Sequence, residues 1–285
     1  MSKISGRILV AISVIAVLLL FFSTSCEKAD TATTIENPSQ LQLYLTDAPL
    51  DYDAVWIDIQ QVMVHLSGDT TRQSGWQELP ILHPGKYNLL DLRNGNDTLL
   101  VSSKVPPGKL LEIRLLLGDR NTITLKDGST RDLLIPSGEQ SKINLKVENI
   151  ILQPETTFDL VLDFDLAKSI REPVVPDSGQ YILQPTIHLF AKGAAASIEG
   201  WVAPDSAQAH VLAISPFHDT LTAIPDVPGG FFRFWGIPEG SYDLYFIADP
   251  ATGYKDDTLL NIQVVQQERV KTDTIFLQKY NLESD

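Results

Sequence analysis

FDLVLDFDL, residues 158–166, sets Phe158, Leu160, Leu162, Phe164 and Leu166 at every second position and leaves Asp163 and Asp165 on the alternate face. Successive side chains of a strand point to opposite sides of its sheet, so a period of two marks a strand with one apolar face, not a helix. The pattern extends in both directions. Lys109–Leu117 carries Leu111, Ile113, Leu115 and Leu117 on one side, with Glu112 and Arg114 on the other. In Ala54–Leu66 the row Val55, Ile57, Ile59 slips phase at Gln60-Gln61 and resumes as Val62, Val64, Leu66. A single β-bulge at the glutamine pair keeps all six on one face. Asn121–Ile135 predicts a hairpin, because Lys126-Asp127-Gly128-Ser129 supplies the Asp-Gly that suits a tight primed turn. Ile143, Leu145 and Val147 continue the alternation, and no long helical stripe interrupts it.

A boundary is expected near Lys192–Ser197, where Gly193 and three alanines separate Tyr181–Phe190 from Ser197–Val202. Further strands are expected at Ala209–Ile214, Thr220–Ile224, Gly230–Trp235, Ser241–Ala248, Leu259–Val265 and Val270–Leu277, with Pro and Gly between them. Seven short strands in about 80 residues suit a Greek-key sandwich. The expected fold class is therefore all-β, with two β-sandwich domains, at 41–191 and 196–279.

Composition narrows the function. With 36 acidic against 22 basic side chains, the net charge of −14 excludes the clustered cations of a nucleic-acid binder. One Cys among 285 residues excludes a disulfide framework and a thiolate-rich metal site. Lys3 and Arg7 precede the apolar run Ile8–Phe22, and Ser23-Thr24-Ser25-Cys26 follows, which is the layout of an export signal and too short for a spanning helix. The segment resembles a bacterial lipobox, with Ser23 where that pattern usually carries Leu. The resemblance implies a signal peptide at 1–25, acylation of Cys26, and 26–40 as a lipid-anchored tether that attaches the protein to a membrane. An uncleaved anchor with a free Cys26 is the alternative. Glu27 after the Cys resembles the surface-export signals of Bacteroidetes lipoproteins, which implies an outer-membrane location.

Two resemblances cover the remainder. Ile198-Glu199-Gly200-Trp201-Val202, followed by Gly230-Phe231-Phe232-Arg233-Phe234-Trp235-Gly236-Ile237-Pro238-Glu239-Gly240-Ser241-Tyr242-Asp243-Leu244, resembles the carboxypeptidase-regulatory-like, transthyretin-like domains. That likeness implies a non-catalytic accessory module, with Phe232 and Phe234 in the core and a turn at Pro238 and Gly240. Residues 40–190 resemble the bacterial domain of unknown function 4382 family, through LQLYLTDAPL at 41–50, Tyr52-Asp53-Ala54-Val55, Val105-Pro106-Pro107-Gly108 and Phe158-Asp159-Leu160 through Ser169-Ile170. This second likeness implies an all-β fold and no activity.

The motifs of catalysis are missing. The His residues at 65, 83, 188, 210 and 218 form no HExxH pair, and neither a GxSxG elbow nor a phosphate-binding glycine loop occurs, so nucleotide use is not expected. No cofactor is expected. Asp47, Asp51 and Asp53 are spaced so that their oxygens could converge on Ca²⁺, though Asp in such loops commonly forms its own turn hydrogen bonds. Asp163 and Asp165 read as a solvated outer face. If Phe232 and Phe234 point inward, then Phe231, Arg233 and Trp235 share the outward face, with Trp201 as a possible neighbour. Such a face would stack a sugar or receive a partner protein, or else lie against the first domain. The expectation is a non-catalytic surface module that binds glycan or an envelope protein. A structural or adhesion component is the alternative, followed by a hydrolase whose pocket would hold two titratable groups with displaced pKa values.

Overall fold

The computed structural model describes residues 35–48, 50–67, 75–136, 141–173 and 180–280, and Ile35–Asp285 forms one compact unit. The expected signal peptide, Cys26 and the tether as far as Thr34 lie outside the described residues. The fold is all-β. No described helix is long and apolar enough to cross a membrane.

The first lobe contains β1 (Ser39–Ala48), β2 (Ala54–Leu66), β3 (Trp76–Leu79), β4 (Gly85–Asn88), β5 (Thr98–Val105), β6 (Gly108–Leu117), β7 (Thr122–Thr124), β8 (Thr130–Leu134), β9 (Lys142–Lys146), β10 (Ile151–Leu152), β11 (Thr157–Asp165), β12 (Ile170–Arg171), β13 (Tyr181–Leu183) and β14 (Ile187–Ala191). One sheet runs β14-β11-β1-β5, and its central pair β1 and β11 is parallel, with Leu41 beside Phe158 and Leu45 beside Leu162. The larger sheet is built around β2 and β6. Leu41, Leu43, Leu45, Leu160, Leu162 and Phe164 of the smaller sheet share one apolar core with Val55, Ile57, Ile59, Val62, Val64 and Leu66 of the larger.

Those last six side chains are all inside because the β2–β6 register shifts between Ile59 and Gln61, which places the bulge at Gln60 as expected. The hairpin of β7 and β8 also forms, but its turn differs from expectation. Thr124 pairs with Thr130, and Leu125–Ser129 close a wider loop in which only Gly128 takes positive φ, at 80°. The Gly128 N–H donates to the Leu125 carbonyl at 2.9 Å and the Leu125 N–H to the Ser129 carbonyl at 2.8 Å, while Asp127 accepts the Ser129 N–H at 2.8 Å, so an unprimed backbone turn braced by the side chain makes the bend.

The second lobe contains β15 (Ala196–Ala203), β16 (His210–Ile214), β17 (Thr220–Ala223), β18 (Phe231–Ile237), β19 (Gly240–Ile247), β20 (Asp257–Val264), β21 (Arg269–Lys271) and β22 (Ile275–Phe276). The sheet β18-β15-β21, extended by β22, and the sheet β17-β16-β19-β20 enclose a separate core of Ile198, Phe232, Phe234, Tyr242, Leu244 and Phe246. The strand expected at Val270–Leu277 is divided. Glu199 pairs with Lys271 and Val202 with Ile275, so three steps along β15 match four along its partner, and the extra residue breaks the ladder.

Candidate functional site

Alternation fixes what each sheet offers to its outer side. On β11 the residues between Leu160, Leu162 and Phe164 face away from the first core. Thr46 of β1 and His188 of β14 flank Asp163 in register on either side. The expectation of a solvated face fails here because the second lobe lies over this end of the sheet. Thr46 is 4% exposed and Asp165 6%. Polar residues on a sheet face mark a surface, and that surface is then covered by another part of the same chain.

The contact between lobes is specific. Phe190 of β14 meets Trp235 of β18 edge-on, with ring centroids 5.3 Å apart. Lys192 lies 3.5 Å over the ring of Tyr44 and 2.6 Å from Asp97. Asn94, in a left-handed turn at φ 56°, reaches the second lobe. Its amide donates to the Ile224 carbonyl at 2.9 Å, to Asp226 Oδ1 at 2.8 Å and to the Phe231 carbonyl at 3.3 Å, and its oxygen accepts from the Arg233 N–H at 3.4 Å. Strand β18 ends its sheet, so Asn94 satisfies backbone groups on an otherwise open edge. Glycine is required at two points of this seam. A Cβ on Gly236, at φ 70°, would stand 2.2 Å from the Phe190 ring, and one on Gly95 would stand 2.8 Å from Arg233.

The seam encloses a cleft of about 440 Å³. Asp163, Asp165 and His188 line it from the first lobe, and Arg233, Trp235 and Phe217 from the second. Asp165 is fully engaged. Its Oδ1 caps the helical turn Leu166–Ser169 by accepting the Lys168 N–H at 3.1 Å, and its Oδ2 lies 3.0 Å from Lys168 Nζ and 3.6 Å from His188 Nε2. Burial opposes its ionisation, yet hydrogen bonds from His188 and Lys168 prevail and hold its carboxyl below the usual carboxylate range. The same bond from Asp165 raises His188 above the ordinary imidazole value, against the effect of desolvation. Asp163 is the contrary case. Its carboxyl makes no hydrogen bond or ion pair among the described residues, and burial, only partly offset by His188, pushes it up to about 6.

The residues singled out in the sequence are therefore divided. Arg233 and Trp235 belong to the seam, the former with its side chain 16% exposed and 3.8 Å from Glu199. Phe231 and Trp201 are a cross-strand pair with centroids 5.4 Å apart, and Lys271 covers Trp201 at 4.8 Å. The outward aromatic row is thus partly built into the lobe contact, not presented whole as an open platform. Asp51 and Asp53 are 3.0 and 3.5 Å from Lys126 Nζ, while Asp47 is buried in β1, 5% exposed. Among the described residues no group of three His, Cys, Asp or Glu is gathered to hold a metal ion.

A wider depression of about 900 Å³ lies on the same seam, lined in part by Asp205, Asp226 and Asp249. Each of these carboxylates is committed: Asp205 to the Gly229 N–H at 3.2 Å, Asp249 to the Ala251 N–H at 2.8 Å, and Asp226 to Asn94 and Arg93. The smaller cleft holds the unpartnered group and is the better candidate. Sequence reasoning passed over His188, Phe190 and Asn94. The Asn94-Gly95 dipeptide is the one local signal among them, since both residues tolerate positive φ.

No curated protein matches the chain. Among solved structures, it is similar to the TIE protein of Bacillus anthracis, at 9% identity and TM-score 0.22, over 84% of this chain and 34% of that one. The chain thus spans about a third of that protein's length. The major pilin subunit BcpA of Bacillus cereus gives 10% identity and TM-score 0.20, over 85% of this chain and 71% of that one. The shaft pilin SpaA of Lactobacillus rhamnosus GG, as a D295N mutant, gives 7% identity and TM-score 0.24, over 87% and 100%. TM-scores this low do not amount to a shared fold. A family model described as "Domain of unknown function (DUF4382)" matches residues 38–185, more than half of the 285. These residues run from the start of β1 through β13 and include Asn94, Asp163 and Asp165, and the chain belongs to that family.

Proposed function

We propose that this protein is an exported lipoprotein, anchored to the outer membrane by acyl chains on Cys26, whose compact unit is a non-catalytic binding module for glycan. The lipobox-like segment supports the anchor, and the acidic surface favours acyl chains over charge as the means of attachment, because net −14 repels anionic headgroups. One observation carries the binding role: a single cleft brings the aromatic rings of Trp235 and Phe217 together with the unpartnered carboxyl of Asp163. Rings offer a flat apolar face to a sugar, and a carboxyl accepts hydrogen bonds from its hydroxyls.

The test is a glycan array probed with the full chain in detergent, beside Trp235→Ala and Asp163→Asn. Binding lost in both variants while they remain folded supports the module. Absence of glycan binding overturns it, and binding that survives both substitutions moves the site elsewhere. Incorporation of a clickable palmitate that Cys26→Ser abolishes tests the anchor.

Displaced carboxyls in a cleft also favour a second reading, as a hydrolase, since divergent pKa values in neighbouring acids are a mark of acid–base pairs. Asp165, however, is bound to Lys168 and His188 and caps a helical turn, which suits a structural carboxylate better than a reacting one. Turnover of glycan substrates, lost in Asp163→Asn, would establish the hydrolase.

A further inference from the structure

We infer that the cleft receives a ligand bearing a cation, and that the glycan it takes is an amino sugar whose free ammonium group pairs with Asp163. The inference rests on the glycan reading above and sharpens it. Its basis is the accounting of partners around the seam. Lys168 and His188 are spent on Asp165, Lys192 on Asp97, and Arg233 faces Glu199 at 3.8 Å. None of these cations forms a hydrogen bond or ion pair with Asp163, which lines the cleft, and the pull of His188 and Lys168 on its carboxyl is outweighed by desolvation.

Charge around the cleft points the same way. The groups that line it beside Asp163 are Asp47 from β1, Asp165 and Lys168 from the end of β11 and its helical turn, His188 from β14, and Asp219 and Arg233 from the second lobe. With Asp163 included, four carboxylates stand against two permanent cations, with His188 in addition. A desolvated carboxylate without a counter-ion is costly, and an ammonium entering the same space relieves that cost, whereas a hydroxyl does so only in part. The rest of the site suits a ring. Phe217 is 71% exposed, in a turn held by Ser215 Oγ, which accepts the N–H groups of Phe217 and Asp219 at 3.2 and 3.1 Å. Its ring offers a flat apolar surface at the cleft for a pyranose whose amino group reaches inward.

Because burial holds the Asp163 carboxyl near 6, it is ionised and receptive at pH 7.5 but only about one-tenth ionised at pH 5. Affinity for an amine that stays protonated across this range, such as ethanolamine, should therefore fall about tenfold between those values, whereas an amino sugar, whose amine takes up its own proton near neutrality, binds best between them. His188, held above the ordinary imidazole value by Asp165, is charged at the acid end of that range and acts in the same direction.

The experiment is calorimetric titration of the full chain in detergent with a fully deacetylated glucosamine tetramer, its N-acetylated counterpart, cellotetraose and ethanolamine, at pH 7.5, pH 6.5 and pH 5. The first three share one backbone and differ only at the second ring carbon. The expected result is binding of the amino tetramer at least tenfold tighter than of either neutral one at pH 6.5, where carboxylate and ammonium are both populated, with the preference lost in Asp163→Asn and any ethanolamine binding weakened about tenfold from pH 7.5 to pH 5. Equal binding of the three tetramers overturns the ammonium inference and leaves the glycan reading standing. Ethanolamine binding as tightly as the amino tetramer overturns the amino-sugar ligand and argues against a glycan. Silence from all four probes overturns the inference, and the glycan array then judges the broader reading by itself. If Asp163→Asn does not fold, Asp163→Glu serves instead. That variant should keep the preference for the amino tetramer, and its loss would count against the pairing.

Discussion

Asp163→Asn is expected to stabilise the protein, and only above a definite pH. Burial raises the carboxyl from its ordinary 3.8 to about 6, roughly two pH units, and each unit is worth about 1.4 kcal/mol between protonation states. The upper value is thus about 3 kcal/mol, and about 2 kcal/mol is the working figure because the carboxyl borders an open cleft. The sign follows from the direction of the shift. A raised folded-state pKa means that the neutral acid fits the fold and the carboxylate does not. Stability is complete below pH 4, declines as the pH rises toward 6, and stays reduced beyond that. Asparagine has nearly the same shape and cannot ionise. Urea denaturation followed by tryptophan fluorescence should therefore give matching midpoints near pH 4, and at pH 8 a variant more stable by about 2 kcal/mol. His188, whose raised pKa also removes stability as pH increases, has its main partner Asp165 in both proteins and largely cancels from the difference. Equal stabilities at pH 8, or a less stable variant, would refute the assignment of a desolvated, unpaired charge.

Three other perturbations address the seam and the first core. Gly236→Ala forces a Cβ into the Phe190 ring at a positive φ and should cost about 2 kcal/mol in chemical denaturation, whereas the same change at Gly128, which has open space around it, should cost less. Asn94→Ala leaves the Ile224 carbonyl without its partner and removes the bond to Asp226, while the Phe231 carbonyl keeps the Asp226 N–H, and should cost about 2 kcal/mol, with faster proteolysis between the lobes near Lys192–Ala195 as its signature. Arg120→Ala removes the 2.8 Å partner of the buried Asp58. The Arg120 bond holds Asp58 below the usual carboxylate range, so the variant should be destabilised at neutral pH, and the deficit should shrink as acid protonates Asp58 in both proteins. A pH-independent deficit would show that the pair acts through packing alone.

Much of the fold was legible because strands announce themselves by period. The row Val55 to Leu66, with its slip at Gln60, and the inward pair Phe232 and Phe234 could be placed from alternation alone, since each apolar face has to be buried somewhere. What alternation does not encode is which polar face is then covered. Asp163 and Asp165 look solvated in one dimension, and only the return of the chain over β11 encloses them. Asn94 escaped notice for a related reason: its bonding partners lie 130 to 139 residues away. The parallel pairing of β1 with β11 is likewise silent in sequence, because each strand is apolar on one side whatever its neighbour.

That pairing sets a constraint on when the molecule can come into being. Strand β1 lies inside its sheet, hydrogen-bonded to β5 on one side and to β11 on the other, and the second partner begins only at Thr157. A ribosome working from the N-terminus delivers Leu41, Leu43 and Leu45 more than a hundred residues before the strand that completes their burial. Until then the nascent chain carries an unpaired strand edge and a row of exposed leucines, the condition in which chains aggregate or are taken up by chaperones. A chain so wired can close this sheet only after most of the first lobe has been made.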